Sequence, residues 1–259
     1  MIFKTLEEKC NYYRSLTDYK LLPNSYVVVM LDGRSFSKKI KNKFAKPFDE
    51  HFVCIMNKTA QYLCENISGC ILAYTQSDEI SLLIKDTNLT EPFFGNRLCK
   101  MQSIIASMAP SNFMQLMTLS KLEFKPSINI EETILNMNLY EFDCKVWNVP
   151  NSNEAFAWIL WRQNDCIRNS KQQFCQAYAS HKELIKKNTD EQVIFVKEKY
   201  GKDWNKIGDD LKFGRLICKE KQEFYDDERG ISYERNHWIC QSMVELNNIN
   251  NRMDFLKII

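Results

Sequence analysis

Residues 74–84 read YTQSDEISLLI, and two adjacent carboxylates, Asp78 and Glu79, interrupt an otherwise strand-like run. Ile71, Ala73, Ile80, Leu82 and Ile84 are the residues of a buried sheet. An acidic pair between them is costly to bury unless it is ion-paired, hydrogen-bonded or bound to a cation. Two readings stand at this level: a hairpin tip in water, or a charge held where it has a use.

The spacing predicts strands over 71–75 and 79–84, joined by Gln76-Ser77-Asp78 as a hairpin. Upstream, YVVVML (residues 26–31) is a continuous apolar run between Pro23-Asn24 and Asp32-Gly33, the pattern of a buried strand. Between them, Phe52, Ile55, Met56, Thr59, Ala60 and Leu63 recur every three or four positions, predicting a helix over 48–65 that stops at Gly69. A second helix is predicted over 97–119 and a further strand over 138–147, closed by Pro150. Beyond residue 153 the pattern is mainly helical, over 154–187 with a break near Asn169-Ser170, and again over 193–204. The order strand, helix, hairpin, helix, strand indicates an α+β sheet with helices packed on one face. A seam at Pro150-Asn151-Ser152-Asn153 separates residues 1–150 from residues 151–259, expected to pack together as one compact unit.

The bulk numbers restrict the function classes. The 259 residues are 44% hydrophobic, with 7 Gly and 6 Pro, which describes a folded chain with a real core. A net charge of +2 gives no global field, so any nucleic-acid surface must be a local patch. No two of the ten cysteines have CxxC spacing, which argues for reduced thiols in a reducing compartment. The N-terminal residues resemble no secretory or transit signal, and no run reaches transmembrane length. A soluble, cytoplasmic protein is the expectation, with an organelle left open.

Asp32 closes the first strand and Asp78 lies at the hairpin tip. If those strands are neighbours, both carboxylates leave the same edge of the sheet, where they repel unless a cation lies between them. Hard oxygen ligands of this kind suit Mg²⁺, and two such ions form the clamp used in nucleotidyl transfer. Gly33 permits close backbone approach, and Arg34 offers a fork donor for phosphate. Taken singly, Asp-Gly also serves a turn, and Ser-Asp-Glu also serves a solvated tip. Together, at the ends of two strands of one sheet, they favour a site.

Six blocks occur in the order found in the tRNA-His guanylyltransferase-like family of 3′–5′ polymerases, which this chain resembles. They are LDGRSF (31–36), KFAKPFDE (43–50), YTQSDEISLLI (74–84), GNRLCKMQSIIAS (95–107), EFDCKVWNVP (141–150) and WRQNDCIRNS (161–170). A looser echo follows at WNKIGDDLKFG (204–214). The resemblance implies a polymerase-like palm sheet as the catalytic part, residues 1–150, with the mainly helical region 151–259 packed on it. It implies two Mg²⁺ ions held by Asp32, Asp78 and the Gly33 carbonyl, with Glu79 ordering a catalytic trio. Arg34, Ser35, Phe36, Ser37 and Ser77 would hold the nucleoside triphosphate. Lys46, Asp49, Arg97, Lys100, Arg162, Arg168 and Asn169 would contact phosphates or tRNA. The implied substrates are ATP, GTP or other nucleoside triphosphates and the 5′ end of tRNA, in an enzyme that is a homotetramer. The activated tRNA 5′ end is attacked by the 3′-hydroxyl of the incoming nucleotide.

The chain departs from the tRNA-His pattern. The His-Ile-Asn-Asn stretch is replaced by Ile167-Arg168-Asn169-Ser170, the histidine of the first loop by Ser37, and an Asn after Lys-Pro by Phe48. The form resembles the paralogues that repair 5′-truncated tRNAs by templated addition. Addition of a single G to tRNA-His stands as the alternative, beside a non-catalytic RNA- or nucleotide-binding palm and a nucleotide cyclase. Asp143 and Lys145 read equally as a functional pair or a strand ion pair. The basic stretch 38–46 reads as solvated loop or phosphate contact. His51, His181 and His237 have no ligand spacing, and the tail from Tyr225 is read as a helical extension without a motif.

Overall fold

The computed structural model describes residues 2–40, 43–85, 91–124, 138–227 and 229–259. Lys41, in the basic stretch, lies outside the described residues. Six antiparallel strands form one sheet in the order β4-β1-β3-β2-β5-β6. The strands are β1 (Tyr26–Gly33), β2 (Cys70–Gln76), β3 (Glu79–Lys85), β4 (Phe142–Val149), β5 (Arg215–Asp226) and β6 (Ile231–Ser242). The helices are α1 (Leu6–Ser15), α2 (Phe36–Lys39), α3 (Glu50–Asn66), α4 (Leu98–Phe124), α5 (Ser152–Tyr178), α6 (His181–Leu184), α7 (Thr189–Tyr200), α8 (Asp209–Phe213) and α9 (Ile249–Leu256). Among the described residues, no helix is long and apolar enough to cross a membrane.

The α+β architecture follows the sequence reading, and the predicted hairpin is β2–β3, turning at Ser77-Asp78 with Ser77 at φ 47°. The helices do not keep to one face, however. Val27, Val29, Leu31, Ile80 and Leu82 pack against α3 and α4, while Val28, Leu72, Tyr74 and Leu83 pack against α5 and α9. The central strands are apolar at nearly every position, and a sheet buried on both sides needs cover on both sides. Each fully buried Leu or Ile in these layers contributes about 1.5–3 kcal/mol.

Two further expectations are corrected. Helix α5 runs without a break through Asn169-Ser170, because the Ser170 hydroxyl accepts the Trp204 indole N–H (3.0 Å) instead of competing with the helix backbone. Part of the region read as mainly helical is the long β5–β6 hairpin, so the tail from Tyr225 forms a strand before α9 begins. Only the first residues of β5 are covered, by pairing of Leu72 with Cys218 through Thr75 with Arg215. Further out the ribbon is largely exposed, so neither the period-2 nor the helical signal is strong there.

Candidate active site

Strand β1 ends at Gly33 between β3 and β4, and the register pairs Asp32 with Glu79 on one side and Asp143 on the other. The β2–β3 turn therefore lies at the same end of the sheet, and the Gly33 N–H donates to the Asp78 carbonyl (3.1 Å). A Cβ at Gly33 would stand 2.5 Å from the Phe36 ring and 2.9 Å from Asp78 Oδ2. The glycine is what lets the Asp78 carboxylate lie against β1. Asp32 and Asp78 are thus brought together as the sequence implied.

Burial pushes Asp78 above its ordinary value of 3.8; the Ser77 hydroxyl, donating at 3.0 Å, opposes this, and the charge of Asp32 adds to it. Asp32 is also raised, first by burial, with Arg162 opposing and Asp143 adding. Asp143 is a third carboxylate at this edge, on the same strand face as Lys145.

Glu79 has a different role from its neighbour. It is buried, and Arg162 donates to it twice, Nε to Oε1 and Nη2 to Oε2, both at 2.6 Å. Burial raises Glu79 and the Arg162 fork opposes this. Arg162 also pairs with Asp165 at 2.9 Å, and Asp165 pairs with Arg168. The guanidinium of Arg162, one of the expected phosphate or tRNA contacts, is thus committed to two carboxylates, and its partner Glu79 is held away from the open edge.

A cavity of about 400 Å³ opens beside this edge, between the 36–53 segment, the hairpin tip, α5 and the start of β5. Ser37, Lys46, Asp49, Ser77, Asp78 and Asn169 all line it. Phe36 lines it too, but its ring is core, packed edge-on against Phe52, Phe113 and Phe142. Asp49 caps α3, with Oδ1 accepting from the His51 and Phe52 N–H groups and Oδ2 from Ala45. Ser35 takes a left-handed conformation (φ 57°) that turns the chain from β1 into α2, and Arg34 stands exposed near Glu141.

Arg97 and Lys100 are not brought to this edge. Neither lines the cavity: they stand where α4 begins, and there the Leu98 N–H donates to the Tyr19 carbonyl. The sequence reading also missed Arg215, a buried cation that opens β5 and lines the cavity. It lies in the region read as mainly helical, where nothing local marks it.

Among the described residues, no cluster of three or more His, Cys, Asp or Glu side chains is arranged to hold a metal ion. The donors present are instead two carboxylates, both raised by burial, and neither enters an ion pair among the described residues. One or two carboxylates completed by substrate oxygens and water is the donor set that Mg²⁺ takes, so the residues fit that ion.

A family model described as Thg1: tRNAHis guanylyltransferase matches residues 7–150, more than half of the chain. The chain belongs to the Thg1 family. The tRNA(His) guanylyltransferase 1 of Arabidopsis thaliana is 27% identical to it over 247 residues, covering 88% of this chain. The chain spans 40% of that relative's own length. A bacterial Thg1-like protein solved in complex with ATP superposes with a TM-score of 0.79 at 27% identity, covering 98% of this chain and 99% of the other. A bacterial Thg1-like protein in complex with GTP gives 0.72 at 26% identity, each chain covered to 98%. The antiparallel sheet with its carboxylate edge is therefore the Thg1-type fold over the whole chain, β5–β6 and α9 included.

Proposed function

We propose that this protein is a nucleotidyltransferase that adds nucleotides in the 3′–5′ direction to the 5′ end of tRNA under template direction, as a 5′-end repair activity. The observation that carries this is the convergence of Asp32 and Asp78 at one end of the sheet, neither in an ion pair among the described residues, with Asp78 lining a cavity that Ser37, Lys46 and Ser77 also line. Membership of the Thg1 family and the ATP and GTP complexes of its structural relatives support nucleoside triphosphates as substrates.

Asp32, Asp78 and the Gly33 carbonyl would hold Mg²⁺, two ions in this reading, which would neutralise charge developing on the phosphoryl group. Lys46 and the hydroxyls of Ser37 and Ser77 bind and orient the triphosphate at the cavity mouth. The tRNA 5′-monophosphate is first activated by ATP, with release of pyrophosphate. The 3′-hydroxyl of the incoming nucleotide then attacks that phosphorus, and AMP leaves; a 5′-triphosphate end reacts directly and releases pyrophosphate. A homotetramer in a cytoplasmic setting belongs to the same reading.

Repair is favoured over strict tRNA-His addition by where the departures fall. Ser37, Phe48 and Ser170, which stand where the tRNA-His pattern has other residues, line the cavity itself. The names of the curated relatives favour the second reading, addition of one G to tRNA-His. A labelled-nucleotide assay with Mg²⁺ and ATP separates them, using several tRNAs lacking their first nucleotide beside intact tRNA-His. Repair requires extension of the truncated tRNAs with the complementary nucleotide, abolished in Asp32→Ala and Asp78→Ala. Addition of G to tRNA-His alone establishes the second reading, and no incorporation on either substrate overturns both.

A further inference from the structure

The cavity has a mouth and a floor. Ser77 at the mouth is exposed and Asp78 half-buried, whereas Arg215, Phe52 and Ser170 at the floor are each less than a tenth exposed. Arg215 pairs in register with Thr75, and its side chain reaches α3. Its Nε donates to Asn57 Oδ1 (3.0 Å) and its Nη1 to the Asp210 carbonyl oxygen (3.2 Å). Its Nη2 is buried and has no partner.

Both partners are neutral, and a guanidinium carries five N–H donors, of which these bonds engage two. A buried charge satisfied this incompletely is costly to the fold, and native proteins keep such orphans at few positions. Burial accordingly pushes Arg215 below its ordinary value. Away from Lys46, Asp49 and Asp78 the lining is mostly neutral, with Phe44, Val53, Leu211, Gln173, Gln176 and Cys166. That lining does not suit a triphosphate, whose charge belongs at the mouth beside Lys46 and Asp78. It suits a flat, neutral heterocycle with hydrogen-bonding edges.

The edges of the two purines differ in what they offer a guanidinium. Guanine presents two acceptors, O6 and N7, which an arginine fork meets with two parallel bonds. Adenine presents N7 beside an amino group, which leaves one donor facing another. We propose that Arg215 is a specificity-determining residue that reads the base of the bound nucleoside triphosphate, donating to the O6/N7 edge of guanine and disfavouring adenine. The inference rests on the nucleotide-binding reading of the same cavity.

Calorimetric binding of GTP, ITP, 7-deaza-GTP and ATP to the full chain in Mg²⁺ tests it, with Arg215→Met and Arg215→Lys beside the wild type. The wild type is expected to bind GTP and ITP about tenfold or more tighter than ATP, with 7-deaza-GTP weaker than GTP. Arg215→Met should bring GTP down to the affinity of ATP while leaving ATP within about twofold, and Arg215→Lys should keep part of the preference. Circular dichroism melts establish that each variant is folded. If Arg215→Met does not fold, the wild-type ligand series still decides. Equal binding of GTP, 7-deaza-GTP and ATP, or a preference retained in folded Arg215→Met, overturns the role of Arg215 and leaves nucleotide binding intact. No binding of any triphosphate overturns the nucleotide reading itself and this inference with it.

Discussion

Arg162 grips Glu79 across 83 positions of sequence, with two hydrogen bonds of 2.6 Å between side chains that are each less than a tenth exposed. The pair ties α5 to the first residue of β3, immediately after the turn that carries Asp78. Removing one partner leaves the other charge buried and alone, which costs about 3–5 kcal/mol. Arg162→Met should therefore destabilise the fold by about that much in denaturant unfolding. The double variant Glu79→Gln/Arg162→Met should be less destabilised than the sum of the single changes, and strict additivity in the cycle would show that the two do not act as a unit.

Asp32 is the register partner of Glu79 and Asp78 its neighbour in the chain, but neither has such a partner. Asp32→Asn or Asp78→Asn should lower nucleotide addition by about 10²–10³-fold or more, with the far-UV spectrum unchanged. Adding Mg²⁺ together with a nucleoside triphosphate should raise the melting temperature of the wild type, because a ligand that binds only the folded state stabilises it. Neither asparagine variant should show that rise in full. A variant that retains both the rise and the activity would remove its aspartate from the site.

Gly33 is required by the closeness of Phe36 and Asp78. The Phe36 ring is locked among Phe52, Phe113 and Phe142 and cannot retreat, so a new methyl group must push back β1 or the Asp78 carboxylate. Gly33→Ala should cost about 1–3 kcal/mol in stability. It should also reduce activity by more than that loss explains at a temperature where the variant is fully folded.

Glu183 controls the acid side of the α6–α7 corner. Lys199 donates to it, as do the Ser180 hydroxyl, the Ser180 N–H and the Tyr200 hydroxyl, and these bonds hold its carboxyl below the ordinary 4.5. A depressed carboxylate contributes stability above its unfolded value and loses it as pH falls through the folded one. Wild-type stability should therefore decline below pH 4.5, and Glu183→Gln should decline less steeply over that interval. Urea midpoints measured across it decide the matter, and identical slopes would mean that these bonds do not persist in solution.

The strands and helices around Asp32 and Asp78 were legible because their signals are local. Val27, Val28 and Val29 announce a buried strand, and the period of Phe52, Ile55, Met56 and Leu63 announces a helix. Asp49 looked like a phosphate contact in sequence, but it is occupied by three backbone N–H groups at the start of α3. The β5–β6 hairpin was not legible, since its outer half packs on little and carries no consistent burial pattern.

The sequence by itself determined the α+β class and the hairpin that presents Asp78, because alternating and helical periodicities report directly on which face of an element is buried; it left the meeting of Asp78 with Asp32 conditional on β1 lying beside β3, as it does. Only the tertiary structure decided which charges are spent and which are open. Glu79 is taken by Arg162, Arg97 and Lys100 do not line the cavity, and Arg215 arrives there from a strand 140 residues beyond Thr75 in chain order. Such pairings depend on the three-dimensional path of the chain and on what remains to satisfy a buried polar group there, and no local pattern encodes either.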